Sequence, residues 1–91
     1  MGFTHYMIFG EPKQPMSPEE AKKAWGEFAE ALKEYNLKLK GPWGPLGVPE
    51  GVCFLLKGSY GDFEKYVGSD AWQKCPIGKT RTITLYDPSA E

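Results

Sequence analysis

Two short segments that are apolar on both faces constrain the fold of this chain most. Residues 2–10, GFTHYMIFG, and residues 51–58, GVCFLLKG, are each bounded by glycine and rich in residues that favour strands. Side chains alternate between the two faces of a strand, so a strand with water on one side is polar at every second position. In both segments the two alternating sets are largely apolar. We therefore predict two strands of a sheet whose two faces are both covered.

A well-marked helix start follows the first strand. Ser17 can cap the free backbone amides, Pro18 suits the first helical position, and Glu20 stands where a capping-box carboxylate reaches back. Apolar side chains then recur at three- and four-residue intervals, which indicates a helix that ends in a left-handed turn at Asn36. The apolar stripe consists of Ala21, Ala24, Trp25, Phe28, Leu32 and Tyr35.

Three further elements complete the pattern. Residues 37–43, LKLKGPW, alternate apolar and basic side chains as a half-exposed strand does, and residues 80–87, TRTITLYD, predict a last strand. Between the last two strands, residues 59–75 predict a second helix that is broken or bent near Gly68. The resulting order, β-α-β-β-α-β, is that of a ferredoxin-like α+β domain with a four-stranded antiparallel sheet and both helices on one face. We expect one such domain over residues 1–91.

A stretch rich in glycine and proline joins the second and third strands. Residues 40–52 read KGPWGPLGVPEGV, with four glycines, three prolines and one tryptophan. The stretch lacks the ending and the strand-to-helix setting of a phosphate-binding loop, and its prolines stiffen the chain where a flexible linker would not. We interpret it as a stiffened connection that holds Trp43 against a partner subunit or against a ligand cavity.

The overall composition excludes several classes of function. A content of 41% hydrophobic and 25% charged residues is typical of a folded globular domain, and the net charge of -1 provides no field to gather phosphates. We therefore expect no nucleic acid partner. Apolar stretches fall far short of the roughly 18 residues that cross a membrane, so a cytoplasmic protein is predicted. Cys53, Cys75 and the acidic residues show no metal-ligand spacing, and neither a metal nor a cofactor is predicted.

Two alternatives with the same topology fit poorly. RNA-recognition domains carry a glycine-aromatic motif on the third strand, but EGVCFLLK resembles it only at Gly51, Phe54 and Leu55, with Glu50 where a basic residue is needed. Acylphosphatase-like proteins need backbone amides and an arginine near the first strand, whereas GEPKQP offers one lysine and two prolines that lack amide hydrogens.

Three stretches resemble the dimeric α+β barrel superfamily. They are KLKGPWG leading into EGVCFLL, the helix opening GSYGDFEKYVGSDAWQ, and the closing ITLYD. The superfamily includes monooxygenases of polyketide aromatics, haem-degrading enzymes, muconolactone isomerases, stress-responsive dimers and families of unknown function. The resemblance implies a homodimer in which two sheets meet face to face across a two-fold axis, with a ligand cavity between each sheet and its helices.

Six residues are candidates for a site. His5, the one histidine, and Tyr86 are the candidate catalytic pair, although His5 and Asn36 do not reproduce the constellation of the haem-degrading relatives. Hydroxyls on the last strand and tryptophans near the cavity suit an aromatic or carbonyl-bearing molecule. The candidate ligand-binding residues are Trp43, Trp72, Thr82 and Thr84.

We therefore predict a small homodimer that binds an apolar or aromatic molecule between its sheet and its helices. One alternative is a cofactor-independent monooxygenase or isomerase that uses His5 and Tyr86. The other is a structural or regulatory module in which the sheet faces serve association alone. Because several functions share this topology, the fold by itself does not choose among them.

Overall fold

The computed structural model describes the backbone of residues 3–86 and the side chains of residues 5–85. The order of strands and helices is the predicted one, with a short 3₁₀ helix added after the second helix. The elements are β1 (Phe3–Pro12), α1 (Pro18–Lys33), β2 (Lys38–Trp43), β3 (Val52–Lys57), α2 (Tyr60–Val67), the 3₁₀ helix (Ala71–Lys74) and β4 (Ile77–Tyr86).

The four strands form one antiparallel sheet in the order β2-β3-β1-β4. The last strand pairs with the first, as predicted. β1 and β4 are longer than their sequence patterns indicate, because their pairing continues past a bulge after Phe9 to Glu11 opposite Gly78 and Pro12 opposite Ile77. The chain is therefore an α+β domain with a four-stranded antiparallel sheet and two helices, and the coarse form of the predicted fold is confirmed.

Helix α1 begins with the predicted capping box. The Ser17 hydroxyl accepts a hydrogen bond from the Glu20 amide at 3.2 Å, and the Glu20 carboxylate accepts one from the Ser17 amide at 2.9 Å. These two contacts satisfy amides that the first helical turn leaves without partners. At the other end Asn36 has a φ of 57°, the predicted left-handed conformation, which turns the chain into β2.

The predicted break in the second helix is confirmed and has a local cause. The Ser69 hydroxyl donates to the Tyr66 carbonyl at 2.7 Å and accepts from the Ala71 amide at 3.1 Å. A serine side chain that bonds nearby backbone groups offers them an alternative to the helix ladder. The chain leaves α2 at Val67 and restarts as the 3₁₀ helix, which carries Trp72.

The core lies between the helices and one face of the sheet, which we call the helix face. Tyr6 and Phe54 contribute from neighbouring strands and Phe28 from α1, and each of these side chains is fully buried. The Tyr6 ring stacks on Phe63 of α2 with centroids 4.0 Å apart. Aromatic packing of this kind exceeds what area burial alone provides, so it ties both helices to the same sheet face. The buried cluster consists of Tyr6, Ile8, Phe28, Leu32, Leu37, Phe54, Leu56, Tyr66, Cys75 and Ile77.

The opposite face of the sheet, which we call the open face, also carries apolar side chains. Met7 pairs with Leu55 on one side and with Ile83 on the other, so one apolar row crosses three strands. Ile83 and Leu85 are 40% and 43% exposed, although both helices pack on the helix face. The predicted two-sided apolar character of the sheet is therefore present. Within residues 3–86 no helix has the length and apolar character needed to cross a bilayer.

Candidate functional site

Two clefts open on the helix side of the sheet, one on each side of Ile77. The first, the α1 cleft, has a volume of about 500 Å³ and lies between the start of α1, the connection from β1 to α1 and the connection from β2 to β3. Its lining residues are Pro12, Gln14, Pro15, Met16, Ala21, Trp25, Pro42, Trp43, Gly44, Gly51, Val52, Pro76 and Ile77.

The walls of the α1 cleft are aromatic, stiff and uncharged. The Trp25 ring packs edge-on against Phe54, with centroids 5.3 Å apart, while Trp43 ends β2 and is 45% exposed. Four lining residues are prolines, whose fixed φ restricts the backbone. None of the lining residues in the described part of the chain carries an ionisable side chain. The cleft therefore favours neutral ligands.

The connection that carries one wall of the α1 cleft is held to the sheet at its far end. Arg81 of β4 donates two hydrogen bonds to the Glu50 carboxylate, at 2.8 and 2.9 Å, and the Gly51 amide donates to the Glu11 carboxylate at 3.2 Å. The hydrogen bonds from Arg81 keep the pKa of Glu50 below its ordinary value. The Arg81 guanidinium also lies over the Phe9 ring, 4.6 Å from its centroid.

The second cleft, the α2 cleft, has a volume of about 360 Å³ and lies between β4, α2 and the 3₁₀ helix. It combines aromatic surface with hydroxyl groups and two lysines, so it differs chemically from the α1 cleft. Its lining residues are Ile8, Lys13, Phe54, Phe63, Tyr66, Val67, Trp72, Cys75, Ile77, Gly78, Lys79, Thr80 and Thr82.

The α2 cleft is lined by several groups that can donate a hydrogen bond to a ligand. Lys13 Nζ donates to the Gln73 carbonyl at 3.0 Å, which uses one of its three N–H groups and ties the lysine to the 3₁₀ helix. Burial raises the pKa of the Tyr66 phenol and of the Cys75 thiol, so both groups stay protonated. The Thr82 hydroxyl adds a neutral donor and acceptor. The cleft therefore suits a ligand that presents an acceptor oxygen.

Ile77 separates the two clefts. Its side chain is 3% exposed and lines both of them. A Cβ built on Gly10 would approach Ile77 Cδ1 to 3.1 Å, so glycine at position 10 leaves the space into which this side chain packs. This buried aliphatic side chain is therefore the lining residue that the two clefts share.

The predicted site residues whose side chains are described are divided among four places. Trp72 and Thr82 both line the α2 cleft, whereas Trp43 lines the α1 cleft. Thr84 pairs with Tyr6 and so shares the helix face, but it lines neither cleft. His5 pairs with Lys57 and Leu85 on the open face, so it is not brought together with the candidates on the helix side.

The backbone of Tyr86 belongs to β4, opposite Phe3. The described side chains are those of residues 5–85, so they do not include that of Tyr86. The predicted pairing of Tyr86 with His5 therefore stays a prediction.

Sequence reasoning missed three residues that shape the clefts. Trp25 was placed in the helical core stripe, yet it also lines the α1 cleft. Lys13 was considered only as the one lysine of GEPKQP, and Ile77 lies ahead of the predicted start of the last strand. A turn of EPKQP back toward β4, where the Lys13 amide donates to the Pro76 carbonyl at 3.1 Å, brings Lys13 to the α2 cleft. No local pattern signals that long-range contact.

No metal centre is formed by the described residues, in which no three His, Cys, Asp or Glu side chains lie close enough to hold an ion. Cys53 and Cys75 are both buried free thiols. Cys53 faces away from the clefts, opposite Phe9 on the sheet, while Cys75 lines the α2 cleft. Each thiol pKa is raised by burial, which is the property of a packed side chain and not of a reactive nucleophile.

The fold has solved counterparts. A crystal structure of the Arabidopsis thaliana protein At3g17210 superposes with a TM-score of 0.65 and 12% identity, covering 97% of this chain and 98% of that one. A solution structure of At3g17210, there called a hypothetical protein, gives 0.64 and 14% identity, covering 100% of this chain and 93% of that one. No protein-family model and no curated protein matches the chain. At this identity the likeness shows a shared fold alone.

Proposed function

We propose that this protein is a homodimer that binds an aromatic molecule bearing an acceptor oxygen, a carbonyl or a carboxylate, in the α2 cleft. One observation carries the proposal: Phe63 and Trp72 line the same cleft as Lys13 and Thr82. Apolar clefts of some 300 Å³ or more with a few polar groups are the usual form of small-molecule sites. The α2 cleft, at about 360 Å³, has that form.

Each part of such a ligand has a counterpart in the cleft. Its ring would contact the aromatic side chains, which gain from stacking as well as from burial. Its oxygen would accept hydrogen bonds from Lys13, which has two N–H groups beyond the one bound to Gln73, and from the Thr82 hydroxyl. A charge-assisted hydrogen bond is worth roughly twice a neutral one, so an anionic oxygen is preferred.

Binding without catalysis is the simpler form of this proposal. The candidate base, His5, lies on the open face, on the opposite side of the sheet from Trp72 and Thr82. An acid-base group must come within hydrogen-bond reach of its substrate, directly or through one water. The α2 cleft itself contributes a neutral phenol and a neutral thiol from Tyr66 and Cys75. We prefer a binding protein to a purely structural module because two clefts lie on the helix side of the sheet.

The dimeric part of the proposal concerns the open face. We take the sheet to be ferredoxin-like and its open face to be covered by a second copy of the chain, as in dimeric α+β barrels. Four strands about 4.8 Å apart, with ten residues in β1 and in β4, offer several hundred Å². That area approaches the roughly 800 Å² per partner of a standard interface. Exposed Ile83 and Leu85 supply the apolar contact that such a dimer needs.

The ligand proposal is tested with anilinonaphthalene sulfonate, an anionic aromatic dye whose fluorescence rises in apolar surroundings. We expect saturable binding, with affinity that falls as salt screens the lysines. Replacing Lys13→Met should weaken binding about tenfold, because one charge-assisted contact is lost. Lys22→Met removes a lysine from the exposed side of α1 and should leave the affinity unchanged. Equal affinities for the Lys13 and Lys22 variants would place the dye elsewhere and contradict the proposal.

The dimer is tested by sedimentation velocity at micromolar concentration. We expect twice the monomer mass, and we expect Ile83→Lys to shift the protein to monomer because it places a charge in the apolar interface. Thr84→Lys is the matched control, since its residue is exposed, adjacent in β4 and on the other face of the sheet. A monomeric wild-type protein, or dimers that persist in the Ile83 variant, would disprove the role of the open face.

A further inference from the structure

We infer that the α1 cleft is a second binding site, selective for neutral and flat aromatic molecules. It is the larger of the two clefts, about 500 Å³, and two tryptophans line it. It is separate from the α2 cleft, because Ile77 stands between them. The inference does not depend on the function proposed for the α2 cleft.

The charge of the ligand follows from the lining. Burying a charged group without a partner is costly, and the α1 cleft offers only the Gln14 amide, the indole N–H groups of Trp25 and Trp43, and backbone groups as polar contacts. The α2 cleft, in contrast, is lined by Lys13 and Lys79. An anionic ligand is therefore favoured by the α2 cleft and disfavoured by the α1 cleft. Of two molecules that differ only in one anionic group, the anionic one should bind the α2 cleft and the neutral one the α1 cleft.

The shape of the ligand follows from the walls. Trp25 is fixed by edge-on contacts with Phe28 and Phe54, at centroid distances of 6.0 and 5.3 Å. Trp43 sits at the start of the proline-rich connection that Glu50 ties to Arg81. An aromatic side chain held in place, as Trp25 is, binds a flat ring with little loss of entropy, because that part of the site is already organised.

The size of the cleft selects a compact molecule over a peptide. About 500 Å³ accommodates a molecule of two or three rings. Proline-rich peptides bind along open aromatic-lined grooves that their extended helix can follow. The α1 cleft is bounded at its inner side by buried Ile77, so it does not continue along the sheet. We therefore assign it a small neutral aromatic ligand.

The test uses N-phenylnaphthylamine, the uncharged counterpart of anilinonaphthalene sulfonate. We expect saturable binding with one site per chain and energy transfer from tryptophan. Ala21→Phe fills the cleft with a phenyl ring and should abolish the saturable signal, while Trp43→Ala should weaken binding about tenfold. Trp43→Phe keeps an aromatic face and should restore most of the affinity. Circular dichroism of each variant checks that the fold is retained.

Leu46→Ala is the matched control for unspecific adhesion. Leu46 is 97% exposed in the same connection as Trp43 but lines neither cleft, so its replacement should leave the affinity unchanged. Equal losses in the Leu46 and Trp43 variants, or saturable binding that survives Ala21→Phe, would overturn the inference. So would displacement of the dye by a decaproline peptide at equal concentration, because it would reassign the cleft to an extended chain.

Discussion

The α1 and α2 clefts share a wall but differ in the chemistry of everything else that lines them. Both lie on the helix face of one sheet, and buried Ile77 lines each. The α1 cleft has prolines, glycines and two tryptophans and no ionisable lining side chain among the described residues. The α2 cleft has two lysines, a tyrosine and threonine hydroxyls beside its aromatic rings. Two sites that share a lining residue can therefore prefer ligands of different charge.

The difference comes from the connection between β2 and β3 and from the start of β4. The connection from β2 to β3 supplies Trp43 and Gly44 to the α1 cleft, and its composition is apolar and stiff. The start of β4, with Lys79 and Thr80, supplies polar groups to the α2 cleft. Loops and strand ends vary without disturbing a core, which is why binding residues are common there.

The largest effect is expected from Ile77→Ala, which removes the shared wall. Deleting a buried isoleucine side chain to alanine costs about 2–4 kcal/mol of unfolding free energy, and it should also open the clefts to each other. We expect urea unfolding at fixed protein concentration to show this loss. In the same variant each naphthylamine dye should compete with the other, because their sites are no longer separate.

Ile77→Val gives a graded control for that change. It removes one methyl group and should cost about 0.5–1.5 kcal/mol while the dyes still bind independently. A contradicting result would be that the two dyes compete equally weakly in all three proteins: wild type, Ile77→Val and Ile77→Ala. That result would show that the Ile77 side chain does not separate the clefts.

A smaller effect is expected from a change of pH, which should alter ligand affinity in the α1 cleft alone. Glu50 accepts from Arg81 of β4, while Glu11 of β1 holds the neighbouring Gly51 amide. The pKa of Glu50 lies below its ordinary value of 4.5 in the folded protein, so its contribution is present above that value. The contribution is lost as pH falls through the lowered pKa. Below that lowered pKa we expect N-phenylnaphthylamine to bind about twofold to threefold more weakly.

Glu50→Gln isolates this contact. The variant cannot form the charged pair with Arg81 at any pH, so it should bind the neutral dye slightly more weakly at neutral pH and lose that part of the pH dependence. Dye titrations of both proteins between pH 3 and pH 7, about the range in which carboxylates titrate, provide the comparison. Identical pH profiles would show that the Glu50 contact does not organise the wall of the α1 cleft.

Local chemistry made the elements predictable. Ser17 and Glu20 form the capping box that their spacing predicts, and Asn36 adopts the left-handed turn. These features depend on neighbours three or four positions away in the chain, so the sequence contains all of the partners. The predicted break in the second helix is confirmed for the same reason, since Ser69 bonds to Tyr66 and Ala71.

The strand lengths and the grouping of candidate residues could not be predicted from neighbouring residues in the sequence. Pairing of Pro12 with Ile77 extends both long strands beyond their sequence patterns. Trp43 and Trp72 were considered together as ligand-binding residues, but the fold places them in different clefts. His5 and Thr82 lie on opposite faces of the sheet because the register pairs Ile8, not His5, with Thr82.

The sequence by itself determined the order of strands and helices, the ends of α1 and the apolar character of both sheet faces. These follow from caps, turns and the alternation of side chains, all of which act over a few residues. Only the tertiary structure decided which face each strand residue occupies and that Lys13, Trp25 and Ile77 shape two separate clefts. Register and long-range packing set those positions, and they depend on contacts between segments that are far apart in the chain.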